Sequence, residues 1–342
     1  MGNKPCDENE RPNKYRNINN HRDSYFISKD NKNNFNNKIN DNKNESNKLR
    51  INYYKNDTNI NGLENLGNTC YLNSFIQILL HCPNFIEALK REMRYQNKFS
   101  LTYLFVKLSE TYESEYLERI REIMEDYYNE FEINQQYDSQ NFGIKLIDKI
   151  IRDIKSDDGS SVNSRKSEVI NLENIIKEEI FLEELFEVIQ SHKDLYSNYR
   201  HGFDLGLDIH LSIPDNKKNC KLEDLLENKF KENKILKFPK ILIITIDRAI
   251  LGKNYNTKEL KFPYELNMEK YDYSSRGIEK KYLLFAINKK SGENRYTGHY
   301  FCNIKIKDYW YLFDDLNVII EKPENTIGDV VGLFYFQKNL DN

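Results

Sequence analysis

The chain has 342 residues, with 51 Lys and Arg against 54 Asp and Glu and a formal net charge of −3, so no strong attraction to nucleic acid or acidic substrates is expected. That length allows one large domain or two ordinary ones. Five scattered cysteines with no C-x-x-C pair argue against a disulfide framework and for a reducing, cytoplasmic or nuclear, compartment. No apolar run approaches the roughly 20 residues that span a bilayer, and the polar start excludes a secretory signal.

Residues 1–57 are dominated by Asn, Lys and Asp, as in Asp30-Asn31-Lys32-Asn33-Asn34. Such a segment buries too little apolar surface to offset its chain entropy and reads as a disordered tail, either a regulatory or targeting arm or simply solvated chain. At its start, Met1-Gly2-Asn3-Lys4-Pro5-Cys6 offers the Gly2 that N-myristoylation needs, although Cys6 stands where Ser or Thr is preferred. A palmitoyl chain on Cys6 would supply the second signal for stable membrane anchoring. An ordinary start sequence is the other reading.

From residue 58 to 342 the composition is that of a folded domain. Leu72, Phe75, Ile76, Leu79 and Leu80 fall at the spacing of a buried helix, which Pro83 stops and Asn68 or Thr69 can cap. Cys70 then sits in the first turn, where unpaired N–H groups and the helix dipole favour a negative sulfur. Position alone does not separate a nucleophile from an inert core thiol. Helical spacing continues from Leu101 to Phe131 and again over 142–155, where Ile147, Ile150, Ile151 and Ile154 share one face. Lys155 to Lys166 reads as a loop or a small disordered insertion, and a Glu-rich apolar segment runs from Ile175 to Ile189.

Strands follow. Phe203 to Leu211 alternates with period two, and Lys240 to Ile246 has the continuous β-branched character of a central buried strand. Tyr282–Ile287, Tyr300–Ile306 and Trp310–Phe313 complete a sheet, and helices followed by strands give an α+β domain with a cleft between its parts. Of six histidines, His299 alone opens a strand after a glycine-containing loop. A two-residue turn at Lys307-Asp308 pairs 306 with 309, 304 with 311 and 301 with 314. Asp314 then shares a face with His299 at a diagonal position, and Asp315 points the other way. Such a carboxylate orients an imidazole, or the two are merely neighbours on a polar face. Cys302 faces the opposite side from His299 and reads as core.

Gly62-Leu63-x-Asn65-x-Gly67-Asn68-Thr69-Cys70-Tyr71-x-Asn73-Ser74-x-x-Gln77 resembles the cysteine box of the ubiquitin-specific proteases. Gly298-His299-Tyr300 with Trp310-Tyr311-Leu312-Phe313-Asp314-Asp315 resembles their histidine box, in the same order. Gln136-Tyr137-Asp138-Ser139-Gln140-Asn141-Phe142 resembles the family's Gln-Gln-Asp-x-x-Glu-Phe element, with Tyr137 and Asn141 departing from it.

The resemblance covers about residues 60 to 340. It implies a papain-like fold with a helical thumb, a β-sheet palm and β fingers, and cleavage after the C-terminal glycine of ubiquitin. It makes Cys70 the nucleophile, His299 the base, Asp314 its orienting acid, Asn65 an oxyanion donor and Asp315 an assisting acid. Gln136 and Asp138 would contact the basic ubiquitin tail, Asp138 doubling as a helix cap, while Gly298 and Tyr300 would flank a narrow Gly-Gly channel. Family members often hold a structural zinc in the fingers with two C-x-x-C pairs. Here Cys220 is the lone cysteine of that region, which looks shortened between Leu211 and Ile241, so zinc-less fingers and no cofactor are expected. Ile246-Asp247-Arg248-Ala249 departs from the usual Leu-x-Arg-Phe strand ending. These departures leave two other readings open: a protease for another ubiquitin-like modifier, and a non-catalytic ubiquitin-binding scaffold.

Overall fold

A computed structural model describes residues 60–93, 97–157, 182–193, 201–214, 220–249, 255–274, 277, 279–292 and 297–338. The tail, with Gly2 and Cys6, lies outside the described residues, as does most of the expected loop before Lys166. Helices come first: α1 (Cys70–Leu80), α2 (Phe85–Glu92), α3 (Leu101–Thr111), α4 (Ser114–Tyr128) and α5 (Ser139–Asp157). The helical stretch expected over 101–131 is two helices. Tyr112 ends α3 and Asn129 ends α4 in left-handed conformations, at φ 58° and 51°. Helix α5 begins three residues earlier than its apolar spacing indicates, because the carboxylate of Asp138 accepts from the Asn141 N–H at 2.9 Å and caps it.

Helix α1 is buried on every side rather than along one stripe. Thr69 is its N-cap by position but makes no side-chain cap bond; the hydroxyl accepts instead from the Leu66 N–H at 2.9 Å. The missing cap forgoes about 1 kcal/mol. Each fully buried side chain such as Leu72, Phe75 or Ile76 contributes roughly 1.5–3 kcal/mol, so packing decides this helix. Its polar residues act as ties: the Gln77 amide donates to the Asn61 carbonyl at 2.8 Å, and Ser74 Oγ lies 3.1 Å from Ser139 Oγ on α5. Gly143 on α5 meets the Phe75 ring where a Cβ would stand, so the two helices pack at glycine distance.

Helix α6 (Leu182–Phe186) leads into β1 (Val188–Lys193), β2 (His201–Gly206), β3 (Ile209–Ser212), β4 (Cys220–Lys221), α7 (Leu222–Lys229), β5 (Ile235–Lys237) and β6 (Ile241–Asp247). Then follow β7 (Leu260–Lys261), β8 (Glu265–Asn267), β9 (Lys281–Ser291), β10 (His299–Ile306), β11 (Tyr309–Asp314), β12 (Asn317–Ile320), β13 (Thr326–Ile327) and β14 (Val330–Gln337). The main sheet has the order β12-β11-β10-β9-β14-β6-β3, with β8 also on β9; only β3–β6 is parallel among its pairs. A small sheet, β2-β1-β5, stands apart from it as the fingers. The strand expected over 203–211 breaks at Leu207-Asp208, after Gly206, so that β2 belongs to the fingers and β3 to the palm.

Strand β6 explains its unbroken apolar sequence. Ile241 and Ile243 join the core shared with α1 and α5, while Leu242, Ile244 and Ile246 join a second core shared with α7. Both faces of the sheet are covered. The β10–β11 hairpin has the register that a two-residue turn dictates, with Ile306 opposite Tyr309, Ile304 opposite Tyr311 and Cys302 opposite Phe313. Among the described residues no helix is long and apolar enough to cross a membrane.

Candidate active site

The turn before α1 is built by Asn65. Its carboxamide oxygen accepts from the N–H groups of Gly67 at 3.0 Å and Thr69 at 3.2 Å. This holds Gly67 and Asn68 at φ 106° and 56°. At Gly67 a side chain would also meet Asn134 Oδ1, so glycine is required twice over. The nitrogen of the same Asn65 amide donates to Asp315 Oδ2 at 2.8 Å, which leaves one of its N–H bonds uncommitted to these partners.

Helix α1 packs directly on β10, which brings Cys70 to His299 across 229 residues of sequence. His299 Nε2 is in close hydrogen-bond contact with Asp314 Oδ1, so Nδ1 is the ring nitrogen left for the Cys70 sulfur. The hydrogen bond to Cys70 pushes the His299 pKa up to about 9; burial opposes the rise, and Asp314 adds to it. A raised imidazole pKa favours an imidazolium beside sulfur. Burial holds the Cys82 thiol far above the ordinary range, and burial holds Cys302 there too, with Lys289 opposing and Asp314 adding to the rise. His81 caps α1 and is packed on Phe313, with burial lowering its pKa, away from any role at Cys70.

Asp314 ends β11, and Asp315 lies just beyond the strand in the turn to β12. Asp314 reaches His299, while Asp315, left-handed at φ 49°, turns to the cysteine box. Its Oδ1 accepts from Asn73 at 2.7 Å, its Oδ2 from Asn65, and its backbone carbonyl accepts from the Leu63 N–H at 3.0 Å. Asn73 had no role in the sequence reading. The available signal was a polar side chain inside an otherwise apolar, buried helix. Ser139 was likewise passed over; it donates to the Tyr71 carbonyl at 2.6 Å and accepts from Asn288 at 2.8 Å, tying α5 to α1 and β9.

The remaining sequence-selected residues lie along the same cleft. Gln136 Nε2 donates to the Gly298 carbonyl at 2.7 Å and lies 3.9 Å from Cys70 Sγ, and its Oε1 accepts from the Gly298 N–H at 3.0 Å. Asp138 caps α5 with one oxygen and takes the Tyr300 hydroxyl at 3.4 Å with the other. Lys290, absent from the sequence reading, is buried with its Nζ 4.3 Å from the Tyr255 ring centroid, and burial lowers its pKa. Arg248 is also buried; it donates to the carbonyls of Asn256 at 2.9 Å and Lys258 at 2.7 Å and so belongs to the scaffold. His299, Asp314 and Asp315 offer ligand atoms within 4.8 Å of one another, the one such group among the described residues. A metal there would have to break the hydrogen bonds just described.

Comparison with known proteins supplies the family. The family model described as "Ubiquitin carboxyl-terminal hydrolase" matches residues 61–335. Ubiquitin C-terminal hydrolase 13 of Arabidopsis thaliana is 26% identical over 309 residues, covering 81% of this chain and 27% of that protein. Ubiquitin carboxyl-terminal hydrolase 4 of the same plant is 26% identical over 314 residues, covering 76% of this chain and 85% of its own length. The chain thus spans about a quarter of the first relative and most of the second. In fold it is similar to a chain of the SAGA Ubp8/Sgf11/Sus1/Sgf73 DUB module bound to ubiquitin aldehyde, with a TM-score of 0.65 at 19% identity over 82% of this chain and 70% of that one. With the family model spanning thumb, fingers and palm alike, this chain belongs to the ubiquitin carboxyl-terminal hydrolase family, the family of the ubiquitin-specific proteases.

Proposed function

We propose that the chain is a thiol-dependent deubiquitinase that hydrolyses the isopeptide or peptide bond after the C-terminal glycine of ubiquitin. The observation that carries this reading is the His299–Asp314 hydrogen bond on the strand that packs against the Cys70 helix, with Cys70 the largest influence raising the His299 pKa. The Cys70 sulfur attacks the glycine carbonyl carbon, and the His299 imidazolium gives its proton to the departing amine. Water, deprotonated by His299, then cleaves the thioester and releases the carboxylate. The developing oxyanion is held by the Cys70 N–H in the first turn of α1 and by the second N–H of Asn65, aligned by Asp315. Ubiquitin or ubiquitinated proteins are the proposed partners, with Asp138 placed for the basic tail and Gly298 and Tyr300 beside the glycines.

A fluorogenic ubiquitin C-terminal amide tests this directly. Wild type should release the fluorophore and Cys70→Ala should not; undiminished release by Cys70→Ala would overturn the assignment. The same assay with other ubiquitin-like modifiers decides the modifier. Acylation at Gly2 and Cys6 is a separate proposal from the N-terminal residues alone, tested by the intact mass of the chain expressed in a eukaryotic cell.

A further inference from the structure

The thiol that the proposed mechanism needs is covered. Cys70 is 1% exposed, so no carbonyl carbon reaches its sulfur in this arrangement. The Gln136 carboxamide lies against it, with Nε2 3.9 Å from Sγ. That carboxamide also makes two bonds to one residue of the opposite wall: it donates to the Gly298 carbonyl at 2.7 Å and accepts from the Gly298 N–H at 3.0 Å. An N–H and a C=O of the same residue, both turned toward one partner, are what an antiparallel strand offers to an incoming chain. Gln136 takes both positions, and no peptide passes between residues joined in this way.

We infer that Gln136 is an internal stand-in for the substrate's main chain, a latch that closes the channel over Cys70 and that an extended, small-residue tail displaces by taking over the two Gly298 bonds. The inference rests on the deubiquitinase reading for the identity of that tail. The geometry favours movement of the side chain rather than of the loop. Phe131 is fully buried in an aromatic cluster with Tyr71 and Tyr137, at centroid distances of 6.4 and 5.1 Å, and Tyr137 Oη accepts from the Glu132 N–H at 3.1 Å. The backbone on either side of Gln136 is therefore pinned, while its half-buried side chain turns about its own dihedrals. Gly298 is fixed as glycine: φ is +158°, and an added Cβ would run into the Ser291 carbonyl and the Lys290 side chain. A latch closed most of the time lowers apparent affinity by the fraction of molecules that are open.

Two measurements on the full chain test this, with Gln136→Ala and with Gln136→Met, which keeps the bulk and removes both hydrogen bonds. First, alkylation of Cys70 by iodoacetamide, followed by peptide mass spectrometry, should run roughly thirtyfold faster in both variants, the weight of about two net hydrogen bonds. Rates equal to wild type in both variants would overturn the latch, and a slow Gln136→Met would overturn its hydrogen-bonded nature. Second, KM for the fluorogenic ubiquitin amide should fall by a similar factor. Faster alkylation with a raised KM would refute the stand-in role and make Gln136 an ordinary binding residue. Faster alkylation with no hydrolysis by any form, wild type included, would sink the deubiquitinase reading and leave the cover over Cys70 standing.

Discussion

Replacing Asp315 by alanine separates two ways in which an acid could serve this site. In the structure Asp315 does not touch His299; it receives the amides of Asn73 at 2.7 Å and Asn65 at 2.8 Å. Asn73 is buried and keeps a bond to the Glu64 carbonyl at 3.1 Å, so its loss is set near the low end for a charged hydrogen bond, about 1.5 kcal/mol. The exposed Asn65 bond adds about 0.5 kcal/mol, and alanine at φ 49° about 1 kcal/mol more, since aspartate tolerates the left-handed region better. Unfolding in urea, followed by the fluorescence of the single tryptophan, Trp310, should thus show a loss of about 3 kcal/mol. With Asn65 released from its alignment, kcat should fall roughly a hundredfold, the usual weight of one oxyanion donor. Asp315→Asn keeps the backbone preference and presents an N–H where an acceptor is needed, so it should lose about 2 kcal/mol of stability and as much activity as alanine. A stability loss below about 0.5 kcal/mol with unchanged kcat would refute the reasoning. So would an Asp315→Asn variant whose pH profile shifts in place of its kcat, because that would mean Asp315 acts on the histidine.

The pH profile is the signature expected of Asp314. His299 is raised from 6.5 to about 9 in the folded chain, so its protonated form persists to about that pH, and the stability it contributes is complete below 6.5 and lost as pH rises through about 9. Wild-type activity should fall above about pH 9, and Asp314→Asn should bring that alkaline limb lower; an unmoved limb counts against the contact. Asp138→Ala should cost about 1 kcal/mol through the α5 cap and also raise KM, whereas Asp138→Asn keeps the cap and raises KM alone. An equal thermal shift in both variants would contradict that separation. Cys82→Ala and Cys302→Ala should label with ubiquitin-vinyl-sulfone as wild type does, since both thiols are buried and protonated; loss of labelling in a variant that still melts cooperatively would show that the wrong cysteine has been chosen.

Much of the frame was legible because local rules specify it. The apolar spacing from Leu72 to Leu80 could only be a buried helix, and the two-residue turn at Lys307-Asp308 fixed the hairpin register and with it which of two adjacent aspartates meets His299. What local rules do not encode was missed. Helical periodicity ran straight through Tyr112 because a single left-handed residue leaves no mark on an apolar pattern. Alternation ran through Leu207-Asp208 because a strand that changes sheets keeps its alternation on both sides of the bend. The cap expected from Asn68 or Thr69 is not seen at Thr69, since Asn65 and Leu66 claim its hydroxyl, while the Asn68 amide donates to the Asn134 carbonyl at 2.7 Å. The Gln136–Gly298 pair, 162 positions apart, and the Asn73–Asp315 pair, 242 apart, exist only once thumb and palm have docked.

That docking ties the two halves of the chemistry to one object. The end of β11 presents Asp314 to the imidazole and the β11–β12 turn presents Asp315 to the amides that frame the cysteine turn, while the Asp315 carbonyl and Leu63 N–H join that turn to the chain before α1. Gly62 stands where any side chain would strike the backbone of Asp315 and Leu316, so this approach is set by main-chain contact and not by adjustable side chains. A shift of α1 against the hairpin would therefore misplace the proposed base and the proposed oxyanion donor together, and mutations at this seam should lower kcat without touching a reacting atom. Access obeys a different control. The proposed catalytic groups lie together while Cys70 remains covered, because the cover is a side chain from the loop before α5 and not part of the seam. A site built this way can be fully formed and still closed, and the two properties should respond to different substitutions.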